Sequence, residues 1–197
     1  MIGAYATEPE CIHVRPSIAG LGDLQGKRIR INNAFQAAAV QKLGMRPVVM
    51  PITQAAEAIS RGAIDGTTLP TAPMSEFGIG RVATNHYMLR TSAVPLLVLM
   101  NRSKFASLPD NAKAILRKFS GDWGLERFID AYQTRTDEVM DQLRSDPLRK
   151  VIAPSSADLK KAQSAFDAVA SDFAAAPGGE ALLRTVKTKV EELRASE

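Results

Sequence analysis

The hydrophobic rhythm of the chain changes part-way along. Lys27 to Asn32 alternates charged and β-branched residues through Arg28-Ile29-Arg30-Ile31, the two-residue period of a strand. Phe35 to Leu43 is alanine-rich and helical, and Gly44 supplies a C-terminal stop. Arg46 to Met50 reads as a short buried strand. Thr53 to Arg61 reads as a second short helix, with Thr53 as its N-cap and Gly62 as its end. Ala63-Ile64-Asp65-Gly66 adds a strand and a turn, and Pro70 opens the next helix. This is β-α-β-α-β with connections of a few residues, which predicts an α/β fold with a parallel-rich sheet. Residues 1–26 read as loop.

Further on the period becomes helical. Ala93 to Asn101 is an apolar strand, expected to be buried on both faces. Pro109 suits the first turn of a helix, and Ala112, Ile115, Leu116 and Phe119 give that helix an apolar stripe. After Ser120-Gly121, a long amphipathic segment carries Phe128, Tyr132, Val139 and Leu143. A short strand at 149–152 precedes a cap at Ser155 or Ser156. Leu159, Ala162, Phe166, Val169 and Phe173 then share one helix face, and Leu183, Val186, Val190 and Leu193 another. No internal repeat or low-complexity tract interrupts the pattern.

Composition narrows the function classes. With 45% hydrophobic and 23% charged residues in 197, the chain has the balance of a globular protein rather than a disordered one. Its net charge of +4 is spread along the chain, and aromatics make up only 6%. Nucleic-acid binding needs a concentrated basic face, so it is not expected. The single cysteine, Cys11, excludes a disulfide framework within these residues and any cysteine-based zinc site. No apolar run reaches the length of a membrane span, and Met1 to Ala6 lacks the basic start and apolar core of a signal peptide.

Few residues offer chemistry. Cys11-Ile-His13 supplies two possible metal ligands with nothing in sequence to complete a tetrahedron, and His86 is the only other histidine. No metal or cofactor is expected. The pairs Gly20-Leu-Gly22 and Gly78-Ile-Gly80 lack the strand, third glycine and helix of a phosphate loop, and read as turns. Arg30 differs from these. It lies on one strand face with Arg28, near a C-terminal strand end where open α/β sheets bind ligands. An arginine there can hold a carboxylate through two parallel hydrogen bonds; equally, it can be a surface arginine on an edge strand. Asp65 reads as a turn residue ending a strand, with Thr67, Thr68 and Leu69 close to the same rim. An enzyme acting on an acidic small molecule, with Asp65 or His86 as general base, is the alternative to a binding protein.

Several stretches together resemble the solute-binding proteins of TRAP transporters, the tripartite ATP-independent periplasmic systems. They are Asp23-Leu-Gln-Gly-Lys-Arg-Ile-Arg30, Leu43-Gly-Met-Arg-Pro-Val-Val-Met-Pro51, Ala55 to Asp65-Gly66, and Met100-Asn101 with Leu108-Pro109. The resemblance covers the C-terminal two-thirds of such a protein. It implies a bilobed clamshell receptor that captures a small organic acid in the periplasm and delivers it to membrane subunits, without catalysis. It implies that Arg30 pairs with the ligand carboxylate and that Asn33, Ala34, Ile52, Thr68 and Leu69 complete the ligand site. The family often carries a polar residue just before the position of Pro70; Leu69 departs from that and implies a less polar aromatic or aliphatic carboxylate. On this reading residues 1–93 form the first part of the second lobe, 94–135 return to a largely missing first lobe and start the connecting helix, and 136–197 return to the second lobe. Apolar surface on the incomplete lobe would promote self-association. A degenerate remnant without ligand affinity shares the same fold.

Overall fold

A computed structural model describes residues 2–195. In chain order the elements are β1 (Gly3–Ala6), β2 (Glu10–Val14), β3 (Arg28–Ile31), α1 (Ala34–Lys42), β4 (Arg46–Val49), α2 (Ile52–Ser60), β5 (Gly66–Leu69), α3 (Ile79–Val82), β6 (Asn85–Ser92), β7 (Pro95–Val98), α4 (Arg102–Ala106), α5 (Asp110–Lys118), α6 (Asp122–Ser145), β8 (Lys150–Ile152), α7 (Ser156–Ala174) and α8 (Gly179–Ala195). Short 3-10 turns lie at Leu21–Leu24 and Ala72–Met74. Among the described residues no helix is long and apolar enough to cross a membrane.

Six strands form one sheet in the order β4-β3-β5-β2-β6-β8. β3 pairs in parallel with β4 and β5, and β6 with β8, whereas β2 runs antiparallel to both β5 and β6. Five strands therefore point one way and β2 alone points back. Alternation along β3 sends Ile29 and Ile31 to a core shared with Ile12, Val14, Tyr87, Val40 of α1 and Ala162 of α7. The opposite face packs on α2, α3 and the C-terminal half of α6 through Ala55, Ile59, Ile79, Val139 and Leu143. Layers of helix on both faces are the expected cover for a sheet dominated by parallel strands.

A second, smaller unit is the antiparallel ribbon of β1 and β7. Tyr5 of β1 stacks on Phe128 of α6 at 3.8 Å between centroids. α6 thus reaches from the ribbon to the core under the sheet, a span of about 36 Å for 24 residues. Two chain segments cross between ribbon and sheet side by side, joined where Thr7 N–H donates to Val94 O and Val94 N–H donates to Thr7 Oγ1.

Several sequence expectations need correction. The described residues 2–26 are not loop throughout: they hold β1 and β2, and β2 is the central reversed strand with all five of its residues buried. Glu10 and His13 interrupt its apolar run, and its partners lie more than fifty residues away, so no local period marks it. β6 likewise lies in a stretch without a clear period. The apolar segment at 93–101 is not buried on both faces, since β7 belongs to the ribbon and Leu99 is 68% exposed. β4 is an edge strand with Val49 72% exposed. Pro51, not Thr53, occupies the N-cap position of α2, and Pro109 stands at the N-cap position of α5. Pro70 follows β5 and leads into a 3-10 turn rather than a helix.

Asp65-Gly66 begins a strand instead of ending one. Gly66 lies against a close approach of the β2 backbone. A Cβ there would meet His13 O at 2.3 Å and Val14 Cγ1 at 2.5 Å. Both neighbours are held by sheet pairing, so neither can give way. Gly66→Ala is expected to cost about 3 kcal/mol, read as a fall of roughly 6–12 °C in thermal midpoint. An unchanged midpoint would contradict the register of β2 on β5.

Candidate functional site

Parallel strands bring like ends together, so the C-terminal ends of β3, β4 and β5 form one edge of the sheet. Arg30 lies one residue before the end of β3. Asn33 and Ala34 follow at the start of α1, Ile52 starts α2 just after β4, and Thr68 and Leu69 end β5. All six residues therefore gather along one edge. Asn33 and Ala34 are exposed there, Ile52 is half-buried, and Arg30, Thr68 and Leu69 are buried. Asn33 caps α1, its Oδ1 accepting from Gln36 N–H at 3.0 Å.

Reversal of β2 adds a seventh group to this edge. Because β2 runs antiparallel, its first residue, Glu10, lies beside the last residues of β5 and β6. Glu10 is only 1% exposed and Arg30 only 2%. Arg30 Nε donates to Met50 O at 2.9 Å and Nη2 donates to Asn32 Oδ1. Asn32 Nδ2 donates to Glu10 Oε1 at 3.3 Å, so one amide joins cation to anion. Glu10 Oε2 accepts from Gln36 Nε2 and from Ser92 Oγ, the latter at 3.2 Å. Among the described residues Arg30 Nη1 has no hydrogen-bond partner, and no carboxylate lies within ion-pair distance of Arg30.

Burial acts on both charges of this network. It raises the Glu10 carboxyl above the ordinary range, opposed by hydrogen bonds from Thr68, Ser92 and Asn32 and by the Arg30 charge. It lowers Arg30, opposed by Glu10; the guanidinium nonetheless remains a cation, as arginine does in proteins. A buried cation with an N–H that no described residue accepts is a group whose hydrogen bonding an anion's oxygen would complete. A depression of about 490 Å³ borders the same network along Asn33, Gln36, Ser92 and Pro95.

The other charged candidates lie elsewhere. Asp65 stands at the N-terminal end of β5, at the opposite edge of the sheet from Leu69. Arg28 clasps it through Nε at 3.1 Å and Nη2 at 3.2 Å, and the Arg28 backbone N–H donates to it at 2.8 Å. Burial works against its charge, but these bonds outweigh it and hold the carboxyl below its ordinary range. His86 is fully buried in the sheet, its Nδ1 3.0 Å from Nδ1 of His13. His13 Nε2 must donate to Leu69 O at 3.0 Å, so neutral His13 accepts at Nδ1 and His86 donates from Nδ1. Cys11 is buried, and burial raises its thiol to about 12. Among the described residues no three His, Cys, Asp or Glu side chains gather as a metal site.

Glu10, Gln36 and Ser92 are the groups that sequence reasoning missed. Glu10 is an acid inside a segment read as loop, and its partners come from positions up to 82 residues away. A lone acid beside Cys11, Ile12 and Val14 in the five-residue stretch Glu10-Cys-Ile-His-Val14 is the one local signal.

A family model for the bacterial extracellular solute-binding proteins, family 7, matches residues 12–176. The chain belongs to that family. Solved TRAP solute-binding proteins share its fold. One from a marine metagenome, specific for aromatic acid ligands and bound to metahydroxyphenylacetate, is 24% identical with a TM-score of 0.86, covering 96% of this chain and 62% of its own. One from Rhodoferax ferrireducens, with copurified benzoate, is 18% identical with a TM-score of 0.85, covering 98% and 64%. The ectoine-binding protein of Halomonas elongata is 16% identical with a TM-score of 0.83, covering 96% and 63%. The chain spans less than two thirds of the length of each. As in those TRAP proteins, the family 7 fold here is a mixed α/β sheet covered by helices on both faces.

The buried histidine pair is expected to make this family member acid-sensitive. Burial is the main cause that lowers both imidazoles below the ordinary 6.5; for His86 the His13 and Arg149 charges add to it. In the unfolded chain both take up protons near pH 6.5 and in the folded chain neither does until far lower, so the unfolded state binds more protons as pH falls. Stability is complete above about pH 6.5 and is lost below it, toward about 4 where His13 itself protonates. Each imidazole is expected to remove about 2–3 kcal/mol between pH 6.5 and 4.5. His86→Gln keeps a donor for His13 and should reduce the acid slope of a urea-unfolding series by roughly half; an unaltered slope would place the sensitivity elsewhere.

Proposed function

We propose that this chain carries the ligand-binding sheet of a TRAP-type solute-binding protein, with Arg30 as the anchor for the carboxylate of a small organic acid. The observation that carries this reading is the buried guanidinium whose Nη1 has no partner among the described residues. A carboxylate oxygen on Nη1 completes its hydrogen bonding and supplies an opposite charge in a site of low dielectric. Asn33, Ala34, Ile52, Thr68 and Leu69 lie along the same edge and line the ligand. Leu69, buried at the end of β5, and Ile52, half-buried just after β4, make this edge apolar, which favours an aromatic or aliphatic carboxylate. That two of the fold's matches hold metahydroxyphenylacetate and benzoate supports the same class.

The ligand is captured outside the cytoplasm and passed to membrane subunits, the work of the family's TRAP members. The ribbon, α4, α5 and the start of α6, mainly residues 94–135, belong to the first lobe of the clamshell, while the described residues of 1–93 and 136–197 outside the ribbon form the second lobe with its binding sheet. A catalytic role for Asp65 or His86 finds less support. Asp65 is held by Arg28 at the far edge, and His86 is enclosed in the core.

Arg30→Ala should abolish the thermal stabilisation of the chain by benzoate, and Arg30→Lys, which keeps a charge but loses the planar fork, should weaken it at least tenfold, consistent with a charged hydrogen bond of about 1.5–3 kcal/mol. Stabilisation that survives Arg30→Ala contradicts the anchor. Leu97, Leu99, Phe119, Trp123 and Ile129 leave a broad apolar surface on the ribbon side. Gel filtration is therefore expected to show self-association of the chain. A clean monomer contradicts it.

A further inference from the structure

The charges that surround Arg30 bear on which carboxylates the edge can hold. Arg30 is the one buried cation there, and Glu10 is a buried anion joined to it through Asn32. More carboxylates gather on the ribbon side. Tyr132 of α6 is raised to about 12 by burial first, and then by Glu8, Tyr5, Glu10 and Glu76. Glu8 is held by Ala72 N–H and Thr136 Oγ1. Glu76 faces Arg135 at 3.5 Å, but Arg135 also pairs with Glu138 at 3.1 Å and is already shared. Arg90, exposed on β6, is a further cation near this edge and acts on Cys11.

One ligand carboxylate on Arg30 leaves the buried network with one positive and two negative charges. A second ligand carboxylate would add another negative charge, with no buried cation to meet it. Charges several ångströms apart in a desolvated site interact far more strongly than in water. Deepening the proposed function, and resting on it, we infer that Glu10 is a specificity-determining residue that restricts the site to monocarboxylates whose remaining part is neutral or cationic, and disfavours dicarboxylates. Glu10 acts through charge at short range. Its oxygens are already occupied by Asn32, Gln36 and Ser92, so it needs no direct bond to the ligand.

The test uses three ring acids of similar shape: benzoate, isophthalate and 3-(aminomethyl)benzoate, titrated at pH 7.5 into the full chain and followed by protein NMR, which reads weak affinities. The wild type should bind 3-(aminomethyl)benzoate at least as tightly as benzoate, and isophthalate at least tenfold more weakly. Glu10→Gln removes the charge while keeping the shape, and should shrink the isophthalate-to-benzoate ratio of dissociation constants at least fivefold. Isophthalate binding within threefold of benzoate in the wild type overturns the inference, as does a ratio unchanged by Glu10→Gln. Should Glu10→Gln not fold, the wild-type series still decides whether dicarboxylates are disfavoured. Benzoate binding that is unaffected by Arg30→Ala, or absent from the wild type, overturns the proposed function itself and the inference with it.

Discussion

The fold depends on keeping a guanidinium charge inside. Moving a cation out of water costs several kcal/mol unless hydrogen bonds and opposite charge replace the solvent. Around Arg30 the replacements are the Met50 carbonyl at the end of β4, the Asn32 amide beyond β3 and, through that amide, Glu10 of β2. β3 and β4 must end, and β2 must begin, at the same edge for these groups to meet. Parallel pairing of β3 with β4 and the antiparallel insertion of β2 accomplish that, and they do so at the C-terminal edge where open α/β sheets take ligands. The site is then a consequence of topology: the same strand order that buries Ile29 and Ile31 on one face delivers Arg30 and Glu10 to one rim.

Two other polar commitments divide the remaining work. Arg28 and Asp65 close the opposite edge, tying the start of β3 to the start of β5 through side chain and backbone together. The histidine pair sits between the edges and links β2 to β6, with His13 also fastening the last carbonyl of β5. Leu69 is thus held from behind by a neutral imidazole while its side chain stands near the site. The arrangement requires that both rings stay uncharged. The cost of this rigidity is the acid sensitivity that follows from burying two bases.

How far the chain could be read in advance depended on where the partners of each residue lie. From Lys27 to Leu43 the period is local and strong, and β3 and α1 form where alternation and alanine content place them. Arg30 is conspicuous for the same reason, being a charge inside a strand. β2 is different. Five residues cannot show a period when Glu10 and His13 stand among them, and those two residues are polar because of partners on α1, β5 and β6. Asp65 misleads in the opposite direction. Asp-Gly looks like a turn that ends a strand, but Gly66 is glycine because β2 passes too close for a Cβ. The apolar run at 93–101 reads as core, and its exposure arises because β7 pairs only with β1.

The central claim is that Arg30 Nη1 receives the ligand carboxylate, and a crystal structure of the chain grown with benzoate tests it most directly. The account predicts a carboxylate oxygen within hydrogen-bond distance of Nη1, with the ring toward Ile52 and Leu69. A benzoate seated away from Arg30 would contradict it.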